Sequence, residues 1–403
     1  MSSIATILLP TVAFLVAVLG SALPGTHPAA SGAEPTGQFV WFGTYTGGPA
    51  NSEGIYVSRF DATTGKLTAP VLAAAVKNPS FLAVHPTLPV MYTVSEVADA
   101  DGKPTGAVLS FTIDDATGTL TRKNHHSSGG GGPCHVSVDR TGRVALAANY
   151  GGGSVICFGL TADGSLQPVV AGTPGGFIQH DGKGPNSQRQ EKPHGHSIYP
   201  TADGRFAVSC DLGADRVFVH ALDVDKATLA PHGFGRGTPG AGPRHFAFHP
   251  SGRYGYAVNE LDLTVTAFAF DPQAGTLTEV QTLSTLPADV TETKGFSTAE
   301  VVAHPSGRFL YASNRGHDSI AMYAVDETTG RLTFLGAEPI QGKTPRNFVI
   351  DPTGKFLLAA GQNSHTVTVF AIDAETGRLS FTGQSLDVPS PVCIRFRPSR
   401  PTP

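Results

Sequence analysis

Residues 61–67 read DATTGKL, and the phrase returns six more times: DDATGTL at 114–120, TADGSL at 161–166, DVDKATL at 223–229, DPQAGTL at 271–277, DETTGRL at 326–332 and DAETGRL at 373–379. The closing leucines are 53, 46, 63, 48, 55 and 47 residues apart. Each interval is one supersecondary unit, of the length of a four-stranded propeller blade. An acidic residue followed by Gly suits a tight hairpin: Asp bonds amides two residues on, and Gly takes positive φ without steric cost.

A second phrase interleaves with the first: HPTLP at 85–89, DRTGR at 139–143, YPTADGR at 199–205, HPSGR at 249–253 and 304–308, and DPTGK at 351–355. Each lies between two β-rich runs, as in HFAFHP followed by YGYAVNE. Every unit therefore reads as strand A, this turn, strand B, a loop, strand C, the DxxxGxL hairpin and strand D. Strand C is plain in RVFVHAL, TVTAFAF and TVTVFAI. The first unit lacks strand A, and PSPVCIRFRP near the other end resembles TPRNFVIDP and NPSFLAVHP, the strand A sequences of other units. The fold expected is an all-β, seven-bladed β-propeller, its C-terminal strand pairing with VWFGTY of the first blade. Closure of this kind removes two exposed sheet edges, and an open β-solenoid would not need the permuted strand.

Composition agrees. The chain has 403 residues with 48 Gly, 31 Pro and only 15% charged residues, a turn-dense profile that disfavours helices. A net charge of −4 without basic blocks excludes a nucleic-acid binder, which needs clustered Lys and Arg. A local arginine cluster for a small anion remains compatible with it. Ile4 to Leu19 is apolar except for Thr6, Pro10 and Thr11, and small residues follow to about Pro35. Residues 1–35 read as a secretory signal peptide with a flexible junction, and 36–403 as one propeller domain. No Lys or Arg precedes the run, the first being Arg59, so an uncleaved anchor or a misplaced start are the other readings. A periplasmic or secreted location follows from a true signal, a cytoplasmic one from its absence, with no membrane attachment beyond export. The isolated cysteines Cys134, Cys157, Cys210 and Cys393 form no CxxC pair and are expected to be free, buried thiols without zinc.

In an antiparallel meander the start of strand A and the end of strand B share a rim. The turn residues His85, His249, His304, Arg143, Arg205, Arg253 and Arg308 belong to the opposite rim. Their repetition points to structural work, such as bonding turn carbonyls. The first rim is irregular. At the start of strand A stand Phe81, His135, His196 (after a one-residue gap), His245, Glu300, Asn347 and Cys393, with His194, Arg244 and Arg346 just before them. At the end of strand B stand Glu96, Tyr150, Leu212, Glu260, Arg315 and Gln362. Buried charge is costly unless paired, so these residues form either a functional pocket or a polar plug of mutually satisfied groups. The long interval places its extra residues in GGFIQHDGKGPNSQRQEKP, 175–193, read as a loop reaching the same rim and able to cover it with Arg189.

GPCHVSVDRTGR, ANYGGGSV, RQEKPHGHS, CDLGADRV, GAGPRHFAFHPSGRYGYAVNEL, LYASNRGHDSIAMY and PVCIRF together resemble the seven-bladed propeller lactonase family. That family includes cycloisomerase-type 6-phosphogluconolactonases and eukaryotic carboxy-muconate lactonizing enzymes. The resemblance spans about Gln38 to Pro398. It implies opening or closure of a lactone ring, a small lactone as partner, and a polar rim of His135, Arg189, His194, His196, Arg244, His245, Glu260, Glu300 and Arg315. An exported member points away from a phosphorylated sugar lactone, a cytoplasmic metabolite.

Lactone hydrolysis needs an activated water, a stabilised oxyanion and protonation of the departing ring oxygen. Arg244 and Arg315 are expected to clamp an anion, with Arg189 from the loop. His196 or His135 is the expected base, and Glu300 the orienter of a histidine or the general acid. His194, His245, Glu260, Tyr150 and Gln362 complete the expected substrate surface. No G-x-S-x-G elbow is present, so direct attack by water is preferred. No cofactor is expected. Three histidines with a carboxylate would admit a metal ion, whereas a calcium site would need Asp and Asn oxygens. The rival classes are a lactonizing cycloisomerase and a non-catalytic propeller that binds an envelope partner through exposed apolar patches.

Overall fold

The computed structural model describes residues 37–97, 102, 105–169 and 174–397. The apolar run at Ile4–Leu19, and with it the expected export signal, lies outside the described residues. All regular elements among the described residues are β-strands, grouped in seven four-stranded antiparallel sheets. In six sheets the four strands are consecutive. The remaining sheet runs Pro391–Phe396, Gln38–Thr44, Gly54–Phe60, Val71–Ala75, with Trp41 opposite Arg395 and Phe42 opposite Ile394. The permuted strand thus closes the first blade as its residues suggest. Blades are numbered 1 to 7 from this one, and strands A to D outward from the axis. The seven A strands touch one another around a complete circuit.

Burial falls from the axis outward. Strand B of blade 5, Tyr254–Asn259, is buried at every residue, whereas its strand D, Thr276–Ser284, alternates between half-buried and exposed. Inner strands are covered on both faces by neighbouring sheets and so read as continuous apolar runs. Between blades 5 and 6, for example, Tyr256 and Val258 pack with Leu310 and Ala312.

The DxxxGxL hairpin is the clasp between blades. Its Gly carbonyl accepts a hydrogen bond from strand B of the preceding blade: Trp41 Nε1 to Gly118 at 2.8 Å, Tyr92 OH to Gly164 at 2.7 Å, Tyr256 OH to Gly330 at 3.3 Å and Tyr311 OH to Gly377 at 2.8 Å. Gly377 shows why glycine recurs. Its φ is +68°, and a Cβ would lie 2.3 Å from the ring of Phe309 in the blade before. Blade 4, whose hairpin DVDKATL lacks Gly, uses Ala227 at a φ of 53°, and the matching residue of blade 3 is Leu146, which has no hydroxyl to give.

The A–B turns form a second set of clasps on one rim. His85 Nε2 meets the carbonyl of Gly142 at 3.1 Å, His249 that of Gly307 at 2.9 Å and His304 that of Gly354 at 2.8 Å, each in the next blade. The Nδ1 atoms accept amides of their own turns, as from Leu88 at 3.0 Å and Ser251 at 3.1 Å. Arg253 and Arg308 reach carbonyls of the next hairpin, Glu327 and Glu375, at 3.0 and 3.1 Å. Repetition here does mean architecture.

One reading of the long interval changes. Phe177–Gln179, taken with the inserted loop, is strand D of blade 3, pairing with Ser154–Ile156. Blade 3 makes a short outer strand, and the loop proper is 180–194.

Candidate active site

The other rim is built from two positions of the repeat. The first lies at the end of strand B, where blades 1 to 7 carry Tyr45, Glu96, Tyr150, Leu212, Glu260, Arg315 and Gln362. The second is a β-bulge in strand A. Six of the seven A strands slip register close to the rim, and the ladder passes over Cys134, His196, Arg244, Ala299 with Glu300, Arg346 and Val392. A bulge leaves its extra residue unpaired and re-aims side chains.

Together these positions enclose a cavity of about 390 Å³. Glu96, Tyr150, Glu260 and Arg315 come from the ends of B strands; Cys134, His196 and Arg346 come from bulges; Arg189 arrives from the 180–194 loop, and Ser297 completes the wall. A narrow extension below it is bordered by Tyr45, Phe81, Arg244 and His245.

Glu260 is the hub. Its Oε1 accepts Arg189 Nη2 at 2.6 Å, and its Oε2 accepts Arg244 Nε at 2.9 Å and forms an ion pair with Arg315 Nη2 at 2.9 Å, whose hydrogen bond goes to the Thr298 carbonyl at 2.7 Å. Across the cavity, Arg346 Nη2 donates to Tyr45 OH at 2.8 Å, and Tyr45 OH to Glu96 at 3.0 Å. Four guanidiniums therefore face two carboxylates, a surplus of two positive charges.

Under the cavity lies a second polar layer. His245 Nδ1 meets Glu300 Oε1 at 2.8 Å, Asn347 Nδ2 donates to Glu300 Oε2, and Asn347 Oδ1 accepts the Ile394 amide at 2.8 Å. His135 Nδ1 accepts the Ile198 amide at 3.3 Å, and its ring lies 4.2 Å from Phe81 and 5.5 Å from His245. These bonds run from blade to blade.

The family model described as "Lactonase, 7-bladed beta-propeller" matches residues 39–396. The chain belongs to the seven-bladed β-propeller lactonase family. It is 40% identical over 356 residues to the 6-phosphogluconolactonase of Bacillus subtilis, covering 88% of this chain and 97% of the relative. It is 32% identical over 302 residues to the 6-phosphogluconolactonase of Formosa agariphila, covering 74% and 82%. The solved periplasmic gluconolactonase of Pseudomonas aeruginosa superimposes with a TM-score of 0.81 at 33% identity, covering 90% of this chain and 99% of that one. The chain is a lactonase, a hydrolase acting on a lactone ester.

In this lactonase the expected residues divide between layers. His196, Arg189, Glu260, Arg315 and Tyr150 line the cavity, and Arg244 and His245 border its lower extension. His135 and Glu300 do not line it. They belong to the layer beneath, where Glu300 is bonded to His245 Nδ1 and to Asn347. His194 stands behind the wall: its ring stacks on Tyr150 at 4.7 Å and its Nδ1 meets the Tyr150 carbonyl at 3.0 Å. Gln362 stays out of the cavity, with Oε1 buried and unpartnered. The rim thus holds a pocket above and, below, a buried polar layer bonded from blade to blade in which His135 Nε2 alone of the named groups lacks a partner.

The one-residue gap introduced for His196 explains the misassignment. It sets His196 level with His135 and His245, whereas the ladder pairs Ser197, not His196, at that level, and the A–B turn of blade 4 is no longer than that of blade 3. His196 shares its place with Cys134, Arg244 and Arg346. Among residues that reading passed over, Tyr45 had a visible signal, since it ends strand B of blade 1 where Glu96 and Glu260 end theirs. Cys134, expected to be simple core, lines the cavity with Sγ 3.7 Å from His196 Nδ1. All four cysteines are free and buried.

Electrostatics follows from the pairing. Burial alone would raise the Glu260 carboxyl, but Arg315, Arg244 and Arg189 hold it at about 2. Burial lowers Arg315 to about 10, with Glu260 opposing. Burial and then the Arg244 charge keep His196 well below its ordinary value, so the imidazole is neutral at pH 7. His245 is lowered to about 4 by burial, against the pull of Glu300. Burial pushes the Cys134 thiol far up, so it is held in its protonated form at pH 7. Among the described residues no group of three or more His, Cys, Asp or Glu is arranged to hold a metal ion.

Proposed function

We propose that this lactonase hydrolyses an anionic sugar-acid lactone, such as a phosphorylated aldonolactone, by direct attack of water. The carrying observation is the surplus of guanidinium around a cavity only as large as a small ring compound. Arg315 and Arg346 keep donors beyond their protein partners; the Arg315 Nε is buried without an acceptor. A phosphate or carboxylate satisfies such donors bidentately. The names of the Bacillus and Formosa relatives support a phosphorylated substrate. The periplasmic Pseudomonas neighbour supports an exported enzyme, for which a carboxylate-bearing or neutral sugar lactone is the alternative.

His196 is the proton-transfer group. Its neutral imidazole takes a proton from water as the oxygen bonds to the lactone carbonyl carbon. Arg315 and Arg244 stabilise the oxyanion. The C–O ring bond then breaks, and the proton passes from His196 to the departing oxygen, leaving an open hydroxy acid that releases a proton to solvent. An anion bound near Arg244 and Arg346 offsets the charges that depress the histidine, so substrate itself raises its basicity.

The test is proton release from 6-phosphoglucono-, glucono- and carboxymuconolactones across ionic strength. The expected result is a kcat/KM at least about tenfold higher for the phosphorylated lactone than for glucono-lactone at low salt, with the gap narrowing as salt screens the arginines. Equal rates at all salt concentrations would remove the anion preference. Turnover of the muconolactone alone would move the chain to the cycloisomerase class.

A further inference from the structure

The loop that brings Arg189 to the cavity is tied at both ends to one carboxylate. Asp211, the last residue of strand B in blade 4 (Phe206–Asp211), is fully buried. Its Oδ2 accepts His180 Nδ1 at 2.8 Å, where the loop begins, and its Oδ1 accepts the His194 amide at 2.6 Å, where the loop ends. His180 is further fixed by its own amide on the Gly153 carbonyl at 3.0 Å. Between the ties, Gln190 Nε2 donates to the Leu212 carbonyl and to Asp215 Oδ1, both at 2.9 Å. From this frame Arg189 Nη2 reaches Glu260 at 2.6 Å and Tyr150 OH at 3.2 Å.

The cluster has the connectivity of a hydrolytic triad. His180 Nε2 lies 3.4 Å from Ser209 Oγ, and Ser209 Oγ also meets His220 Nε2 at 2.9 Å. Ser209 has no exposed surface, however, and a nucleophile must be reached by its substrate. The hydroxyl instead closes a hydrogen-bonded stack in which the His180 and His220 rings lie 5.4 Å apart and nearly parallel. What the cluster can do is hold a loop.

We propose that Asp211 and His180 are positioning residues that set the place of Arg189 against the anionic group of the substrate. The proposal rests on the anionic-lactone reading for its kinetic arm only. Arg189 carries its charge on a side chain that is 42% exposed; a loop secured at both ends spares it the ordering cost that such a side chain otherwise carries into binding.

The experiment compares wild type, His180→Phe, His180→Asn, Arg189→Ala and the double variant His180→Phe/Arg189→Ala on 6-phosphogluconolactone and gluconolactone. Expected are a rise in KM of about tenfold for the phosphorylated lactone in His180→Phe, kcat within about twofold, and no comparable change with the neutral lactone. His180→Asn, whose amide nitrogen stands near the Nδ1 position, restores most of the loss. The double variant is no worse than Arg189→Ala alone, because the tie has nothing left to position. Full additivity of the two changes, or an unchanged KM in a folded His180→Phe, overturns the proposal. A second readout needs no substrate. Amide exchange over 183–192 accelerates in His180→Phe, or in Asp211→Asn if the former does not fold, while the B strands keep their protection. Unchanged exchange in that loop also overturns it. Should wild type hydrolyse neither lactone, the substrate reading fails while the exchange arm still decides the loop.

Discussion

The two rims of this propeller use the same residue types for opposite ends. On the A–B turn rim, His85, His249 and His304 each donate to a glycine carbonyl of the next blade and accept amides of their own turn. Every ring nitrogen is occupied and the pattern recurs. On the opposite rim, His196 stands in a bulge against a thiol, beside Arg244 and Arg346, with a cavity in front. No other blade repeats it. A histidine whose partners are backbone groups of a repeat is a fastener; one placed where the repeat breaks among unlike charges is free for chemistry.

The sharpest way to break this contrast is to truncate one histidine on each rim. His196→Ala is expected to lower kcat by about 10²- to 10⁴-fold, the usual worth of a proton-transfer group, while His249→Ala keeps kcat/KM within about twofold. Steady-state proton release on the same lactone reads both, and a comparable activity loss in the two would erase the distinction. Next in size is Arg346→Gln. It should raise KM for the phosphorylated lactone by about ten- to a hundredfold, the price of one charge-assisted pair, with little change for the neutral one. Equal effects on both lactones would show that Arg346 shapes the cavity without reading charge.

Acid pH should separate the rims as well. In the proposed mechanism His196 acts in its neutral form, and its value lies below the ordinary 6.5. The pH profile of kcat/KM should therefore be flat near pH 7 and fall only as pH drops through a point under 6.5, by about tenfold per unit. An acid limb centred above 6.5 would exclude His196. Stability shares the sign. His135, His196 and His245 are buried with lowered values, so below pH 6.5 the unfolded chain binds protons that the folded one does not, and the melting temperature should decline as pH falls towards 4. The smallest effect is that of His249→Ala on folding. Loss of one turn-to-turn bond costs about 1 kcal/mol, seen as a drop of roughly one to two degrees in thermal unfolding of a domain this long.

How much the residues reveal depends on whether a feature repeats. Seven hairpins, six A–B turns and the permuted PSPVCIRFRP segment carry the fold, and the closed ring of A strands follows from them. The converging rim was also legible, because strand ends map to one face once the meander is known. The level of each side chain was not. Reading the turn YPTADGR as one residue longer than DRTGR sets His196 one position too far along, whereas Thr201 takes the place of Asp139 and His196 that of Cys134; which way a bulge turns such a residue is a matter of register that motifs do not carry. Strand D of blade 3, only three residues long at Phe177–Gln179, was hidden for a related reason: a strand that short has too little pattern to be told from loop.

Sequence alone determined the seven-fold ring, its closure and the family, since each is written in local signals that recur along the chain. Tertiary structure alone decided which charged groups meet. Glu260 gathers Arg189, Arg244 and Arg315 from three separate segments, and Asp211 joins two ends of one loop. Such meetings depend on register slips and on distances across the axis, quantities that come into being only when the sheets close around it.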